Sequence, residues 1–175
     1  AADLLLRDED GSVFQLPFLA QTLKGYKNLT ELISRAWTQG QRAGVAAVKR
    51  EWIEELSEGL IVLSGGIFGD VGKALLQGHP EVAEQRCDWW ATHFPDRFYL
   101  EVNRCGRVGD EQHLHAAVDL SHRKQIPLVA TNDVRFLKSE DFDVHEARVC
   151  IHDGYTLGDK RRQKLYTEQQ YLRST

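Results

Sequence analysis

The residues best placed to do chemistry sit in one stretch, Leu128-Val129-Ala130-Thr131-Asn132-Asp133-Val134-Arg135-Phe136-Leu137. Residues 127–131 read as a buried strand that runs into a polar turn carrying the carboxylate of Asp133. In strand–helix barrels that end of a strand is where reacting groups gather. Arg135 follows two residues after Asp133. In a strand-like run, residues two apart face the same side, so the spacing predicts an ion pair between Asp133 and Arg135.

Other candidates are weaker. His113-Leu114-His115 has the spacing of a chelating pair in a strand, but it lies in a helical stretch, 110–124. Residues two apart on a helix point about 200° apart, so ordinary helix surface and edge is the better reading. His145 and His152 share a helix face but stand about 10 Å apart along it, too far for one ion. Cys105 follows a strand end and could be a soft ligand or reactive thiol, though no second cysteine is near it in sequence. Ser64-Gly65-Gly66 could let backbone N–H groups approach an anion, yet the lysine–serine pair of a phosphate loop is absent. The run Lys160-Arg161-Arg162-Gln163-Lys164 could touch a DNA backbone, but a short charge run is usually a solvated face. Trp89-Trp90 reads as core rather than as a stacking platform.

The bulk numbers narrow the class. A chain of 175 residues, 42% hydrophobic and 27% charged, has the composition of a globular domain with a sizeable core. A net charge of −4 with a pI near 6.0 supplies no chain-wide electrostatic reason to bind nucleic acid. Three scattered cysteines (Cys87, Cys105, Cys150) make neither a disulfide framework nor a zinc knuckle, and they suit the reducing cytoplasm. No apolar run approaches the roughly 20 residues of a membrane span. With no methionine and an opening Ala-Ala-Asp-Leu-Leu-Leu, the chain reads as a piece of something longer.

The elements that must position these groups follow from periodicity. Residues 13–20 are apolar enough for a strand, and Pro17 hints at an edge or a strand start. Tyr26, Leu29, Leu32, Ile33, Ala36 and Trp37 keep helical spacing over 25–37, with Gly40 as a C-cap. A small polar loop covers 39–47 and a short helix 49–56. Residues 60–63 form a buried strand and 71–76 a helical turn or two. Pro80 starts a helix to about 94, where its missing N–H costs nothing. A strand at 97–102, helices at 110–124 and 141–152, and a capping box at Thr167-Glu168-Gln169-Gln170 opening a last helix complete the reading. Strands alternating with helices predict βαβ units and a mostly parallel sheet of three firm strands and one doubtful one.

Five motifs occur in a familiar order: Gly25-Tyr26-Lys27-Asn28-Leu29; Glu58-Gly59-Leu60-Ile61-Val62-Leu63-Ser64-Gly65; Phe94-Pro95-Asp96-Arg97-Phe98-Tyr99-Leu100-Glu101; residues 130–136; and Ile151-His152-Asp153-Gly154-Tyr155-Thr156-Leu157. Together they resemble the PHP domain of bacterial replicative DNA polymerase III alpha subunits, over almost the whole chain. The resemblance implies an α/β fold, an incomplete PHP-type (β/α)7 barrel lacking its first strands, with residues 1–175 as one partial domain. Missing strands leave open sheet edges, which favour self-association.

PHP domains resemble distorted barrels around a trinuclear metal cluster, whose divalent ions suit phosphoester hydrolysis. The metal-ligand positions carried over by the resemblance are mostly lost. Gln15 stands for a histidine, Gly66 for a cysteine, and Asp133 with Arg135 for an aspartate–histidine pair. A neutral amide is a poor ligand, glycine has no side chain and guanidinium stays protonated. The expectation is therefore no metal and no catalytic residue in this segment, with Arg135 taking over the neutralising role of the lost cation at Asp133. For the parent protein the resemblance implies template-directed DNA synthesis with Mg2+ at a distant active site. It also implies a brace for the polymerase core and a docking surface for the proofreading exonuclease subunit. The alternative is a metal-dependent phosphoesterase, a pyrophosphatase or 3′–5′ exonuclease.

Overall fold

The structure is a computed structural model describing residues 1–174. Its elements run β1 (Ala2–Arg7), β2 (Val13–Ala20), α1 (Leu23–Thr38), β3 (Gln41–Arg42), β4 (Val45–Ala46), α2 (Arg50–Glu55), β5 (Leu60–Leu63), α3 (Asp70–Leu76), α4 (Pro80–His93), β6 (Phe98–Asn103), α5 (Asp110–Lys124), β7 (Leu128–Thr131) and α6 (Phe142–Asp153). The main sheet has strand order β1-β2-β5-β6-β7, and β3 and β4 form a separate two-stranded hairpin inside the expected 39–47 loop.

Three expectations about the sheet change. The opening Leu4-Leu5-Leu6 stretch is a strand that the periodicity did not single out, so five strands form the sheet. Only β5–β6 and β6–β7 are parallel, whereas β1–β2 and β2–β5 are antiparallel, so the sheet is mixed. Residues 13–20 are interior rather than an edge. Pro17 is tolerated there because the ladder to β5 begins only at Phe18, one residue past the ring.

Period-two alternation gives the sheet two unlike faces. Leu4, Leu6, Phe14, Leu16, Phe18, Leu60, Val62, Phe98 and Leu100 are buried in one apolar core. Helix residues Leu29, Leu32, Val71, Ala83, Trp90 and Leu120 close that core. At its centre Phe18, Trp90, Phe94 and Phe98 meet with ring centroids 5.8–6.4 Å apart. Residues between the core positions, among them Asp3, Gln15, Glu101, Asn103 and Thr131, belong to the other face, where a cavity opens. In the expected amphipathic helix, Tyr26 and Trp37 lie at the rim of the apolar stripe and stay 61% exposed.

The motif glycine and asparagine of α1 have a packing role. A Cβ on Gly25 would fall 1.8 Å from the Gly59 carbonyl oxygen, and Asn28 Nδ2 donates to the Glu58 carbonyl at 2.9 Å. These contacts press the start of α1 onto the turn that leads into β5. Gly40 donates to the Arg35 carbonyl at 3.0 Å just past the helix, but the cap position itself is Gln39.

No helix opens at Thr167. Half of the capping box forms, since the Thr167 N–H donates to Gln170 Oε1 at 2.9 Å. The chain then leaves the turn because Arg135 N donates to the Gln170 carbonyl (2.8 Å) and Leu172 N to the Phe136 carbonyl (3.0 Å). Extended pairing between 135–136 and 170–172 replaces the helix. Among the described residues no helix is long and apolar enough to cross a membrane.

Candidate functional site

The parallel arrangement of β5, β6 and β7 brings their carboxyl ends to one side, as the order of the sheet requires. Antiparallel β2 delivers Gln15 to the same side, next to the turn after β5. The result is a cavity of about 420 Å³ lined by Asp3, Gln15, Glu101, Asn103, Arg107, Thr131, Asp133, Arg135 and Tyr166, among others. Gln15, Asp133 and Arg135 therefore meet in one pocket, and Gly66 borders it through Asn103.

Asp133 is the hub. Its Oδ1 lies 2.7 Å from Arg135 Nη2, and its Oδ2 lies 2.8 Å from Arg107 Nη1 and 2.9 Å from Gln170 Nε2. The Asp133–Arg135 pair forms, but not within a strand: β7 ends at Thr131 and Asp133 has φ +41°. A turn, and not strand alternation, aims the carboxylate at Arg135. Arg107 has a side chain only 9% exposed and lies with its guanidinium carbon 5.0 Å from the Phe68 ring centre. Arg135 is 40% exposed at the rim, over the ring of Tyr166.

The other polar groups around the pocket also have protein partners. Gln15 Nε2 donates to Asp3 Oδ2 at 3.0 Å, a diagonal pair across β1 and β2. Gly66 has φ +53°, and a Cβ there would fall 2.4 Å from Asn103 Oδ1. Asn103 Nδ2 in turn donates to Thr131 Oγ1 at 2.6 Å, and the Thr131 hydroxyl donates to Glu101. Glu101 is buried, and that burial raises its carboxyl above the usual range, with the negative charges of Asp3 and Asp133 adding to the rise.

These residues do not fit a metal centre. Asp133 already accepts hydrogen bonds from Arg107 and Gln170 and pairs with Arg135, the side-chain space at position 66 is filled, and a guanidinium stays protonated and cannot ligate an ion. Among the described residues no three His, Cys, Asp and Glu side chains are grouped to hold an ion.

The weaker candidates separate cleanly. His113 is buried rather than on the surface, under burial that lowers its pKa, while His115 is exposed, so the two do not share a site. His113 turns inward because α5 packs on α3, where a Cβ on Gly72 would sit 2.9 Å from its Nε2. His145 is buried against Phe136 and Tyr166, whereas His152 is exposed and bonded to Asp153. Cys105 is buried, its thiol 3.4 Å from the Asn132 carbonyl and shifted upward by burial. In the basic run, Arg161 pairs with Asp159 and Arg162 with buried Glu146, so those two charges are used within the chain. Trp90 is fully buried in the core.

Sequence reasoning missed Asp3, Glu101, Asn103, Arg107 and Gln170. Glu101 carried a signal, a carboxylate alternating with Phe98, Leu100 and Val102 in a buried strand. Arg107 and Gln170 carried none, since both reach Asp133 from loops distant in sequence.

A five-stranded mixed sheet with helices on its apolar face and a polar pocket at the strand ends is the architecture found. The PHP domain family model matches residues 2–105, and the chain belongs to that family. It is 55% identical over 175 residues to the DNA polymerase III subunit alpha of Pseudomonas aeruginosa, covering 99% of this chain. It is 50% identical over 170 residues to the protein of that name from Escherichia coli K12, and 47% over 175 residues to that of Vibrio cholerae. The chain spans about 15% of the length of these curated relatives.

Proposed function

We propose that this chain is the PHP region of a bacterial replicative DNA polymerase III alpha subunit and that it works without chemistry of its own. Its parent would carry out template-directed DNA synthesis in the cytoplasm, with Mg2+ bound at an active site outside this segment. The supporting observation is that positive charge already surrounds Asp133: Arg107 and Gln170 donate to its Oδ2, and the Arg135 guanidinium lies 2.7 Å from its Oδ1. The Asp133–Arg135 pair takes over the neutralising role that a metal would have. The pocket then becomes a strut joining the loops after β6 and β7 to the C-terminal segment.

A domain retained without its ligands needs another use, and the roles that fit are a brace for the polymerase core and a docking surface for the proofreading exonuclease. The open sheet is read as part of a PHP-type barrel. Either self-association or a covered edge is expected; Val48 already bonds Leu5 and Arg7 along the outer edge of β1, so a dimer seen by light scattering would form through the edge of β7. The phosphoesterase reading needs a cation that these residues do not accommodate.

The deciding experiment is elemental analysis of the chain purified without chelator, together with calorimetry against the exonuclease subunit. Less than about a tenth of an equivalent of zinc, manganese or iron is expected, along with saturable exonuclease binding to the full-length protein that weakens when this region is deleted. Two or more metal equivalents would reinstate the phosphoesterase reading.

A further inference from the structure

We infer that the C-terminal segment 167–171 is an intramolecular lock on the pocket: Gln170 holds Asp133 from within the chain and excludes a cation independently of Arg135. The inference rests on the metal-free reading of the pocket and names what occupies Asp133 in place of an ion.

Gln170 is fully buried and lies outside the part of the chain that the family model matches. Its Nε2 donates to Asp133 Oδ2 at 2.9 Å and approaches the Asp133 carbonyl at 3.2 Å. Its Oε1 accepts the Thr167 N–H at 2.9 Å, so the amide cannot turn its oxygen toward the pocket without losing both bonds. The segment is clamped from two sides. Asn132 Nδ2 donates to the Gln169 and Tyr171 carbonyls at 2.8 and 2.7 Å, and the Thr167 hydroxyl donates to the Cys105 carbonyl. Cys105 belongs to the loop after β6 and Asn132 to the loop after β7, so the segment bridges the two loops that form the pocket floor.

The division of labour on Asp133 follows. Arg135 occupies Oδ1, whereas Gln170 and Arg107 share Oδ2. Replacing Arg135 by a ligand frees one oxygen only. The other remains bonded to two donors, one of them with no exposure to solvent. A cation would have to displace a buried amide whose own oxygen is already committed.

The test compares three forms of the chain by calorimetry with Zn2+ and with Mn2+: native, Arg135→His, and Arg135→His with Gln170→Glu. The second substitution removes the donor and adds a carboxylate ligand. The lock predicts no saturable binding by the native chain, weak or none by Arg135→His, and binding at least about tenfold tighter by the double variant. Equal affinity in the single and double variants overturns the lock. Should neither bind, hydrogen exchange of Gln170→Ala decides. Exchange at 167–172 and 131–136 must rise at least about tenfold while β2 and β5 stay protected, and unchanged exchange at those sites overturns the lock. Circular dichroism on each variant separates loss of the lock from loss of the fold. Metal bound by the native chain is a different failure, because it removes the metal-free reading itself.

Discussion

Asn103 occupies the space that a side chain at Gly66 would need: a Cβ at Gly66 would stand 2.4 Å from Asn103 Oδ1. The absence of a side chain at position 66 is therefore coupled to the neighbour that fills its space. Gly66→Cys should destabilise the chain by roughly 1–3 kcal/mol, from the clash and from a side chain forced to φ +53°. Adding Asn103→Ala should recover part of that loss, leaving the backbone share. Urea unfolding of both variants checks this, and a neutral Gly66→Cys would mean that the turn is not held as described.

The two guanidiniums on Asp133 should differ in weight. Arg107 has a side chain 9% exposed and Arg135 one 40% exposed, so solvent screens the second pair far more than the first. Asp133→Asn removes the nearer of the two carboxylates facing buried Arg107 (Asp110 remains 3.4 Å from its Nε) and should cost roughly 2–4 kcal/mol. Arg135→Ala should cost less than about 1 kcal/mol. Equal effects of the two substitutions would show that Arg107 does not depend on Asp133.

A second polar centre stabilises the fold away from the pocket. Asp70 is fully buried, and its carboxylate accepts Arg50 Nη2 at 2.9 Å, Trp90 Nε1 at 3.0 Å and the Val71 N–H at 2.8 Å. Arg50 reaches on to Asp8 at 2.8 Å, and Arg86 donates to the Asp70 carbonyl at 2.6 Å. One carboxylate thus ties α2, α3 and α4 to the turn between β1 and β2. Asp70→Asn should destabilise by roughly 3–5 kcal/mol, more than any single change at the pocket rim. Thermal melting measures it, and a loss below that of Arg135→Ala would contradict this ranking.

What the sequence disclosed and what it hid have physical reasons. Helices with strong periodicity or sharp signals were legible: α5 spans Asp110–Lys124 as read, and Pro80 opens α4. Strand β1 was not, because the consecutive Leu4-Leu5-Leu6 shows no period-two alternation and its burial is set by pairing with β2. The last helix failed for a related reason. Thr167 and Gln170 do form one capping-box bond, but pairing with Arg135 and Phe136 outweighs a single helical turn. At the site, the altered positions Gln15, Gly66 and Arg135 were readable as residue types. Asp3 beside Gln15, Asn103 beside Gly66 and Gln170 on Asp133 were not, since each is distant in sequence or on another strand.

Glu101 gives the pocket a pH signature. Burial raises its carboxyl pKa in the folded state above its unfolded value, and Asp3 and Asp133 push the same way, while the bond from Thr131 opposes them. Between the unfolded and folded values the native chain holds a proton that the unfolded chain has released. Stability therefore falls as pH rises through that window, which begins at the ordinary glutamate range and extends upward. Below it the penalty is absent; above it the penalty is complete. Glu101→Gln keeps the shape and removes the charge, so its stability relative to the native chain should improve as pH rises above the ordinary glutamate range and the native carboxylate ionises. Urea unfolding of both proteins at several pH values gives the difference directly. A difference that stays flat across the window would place Glu101 in contact with enough solvent or enough donors to ionise freely, and an improvement toward low pH would reverse the sign of its burial cost.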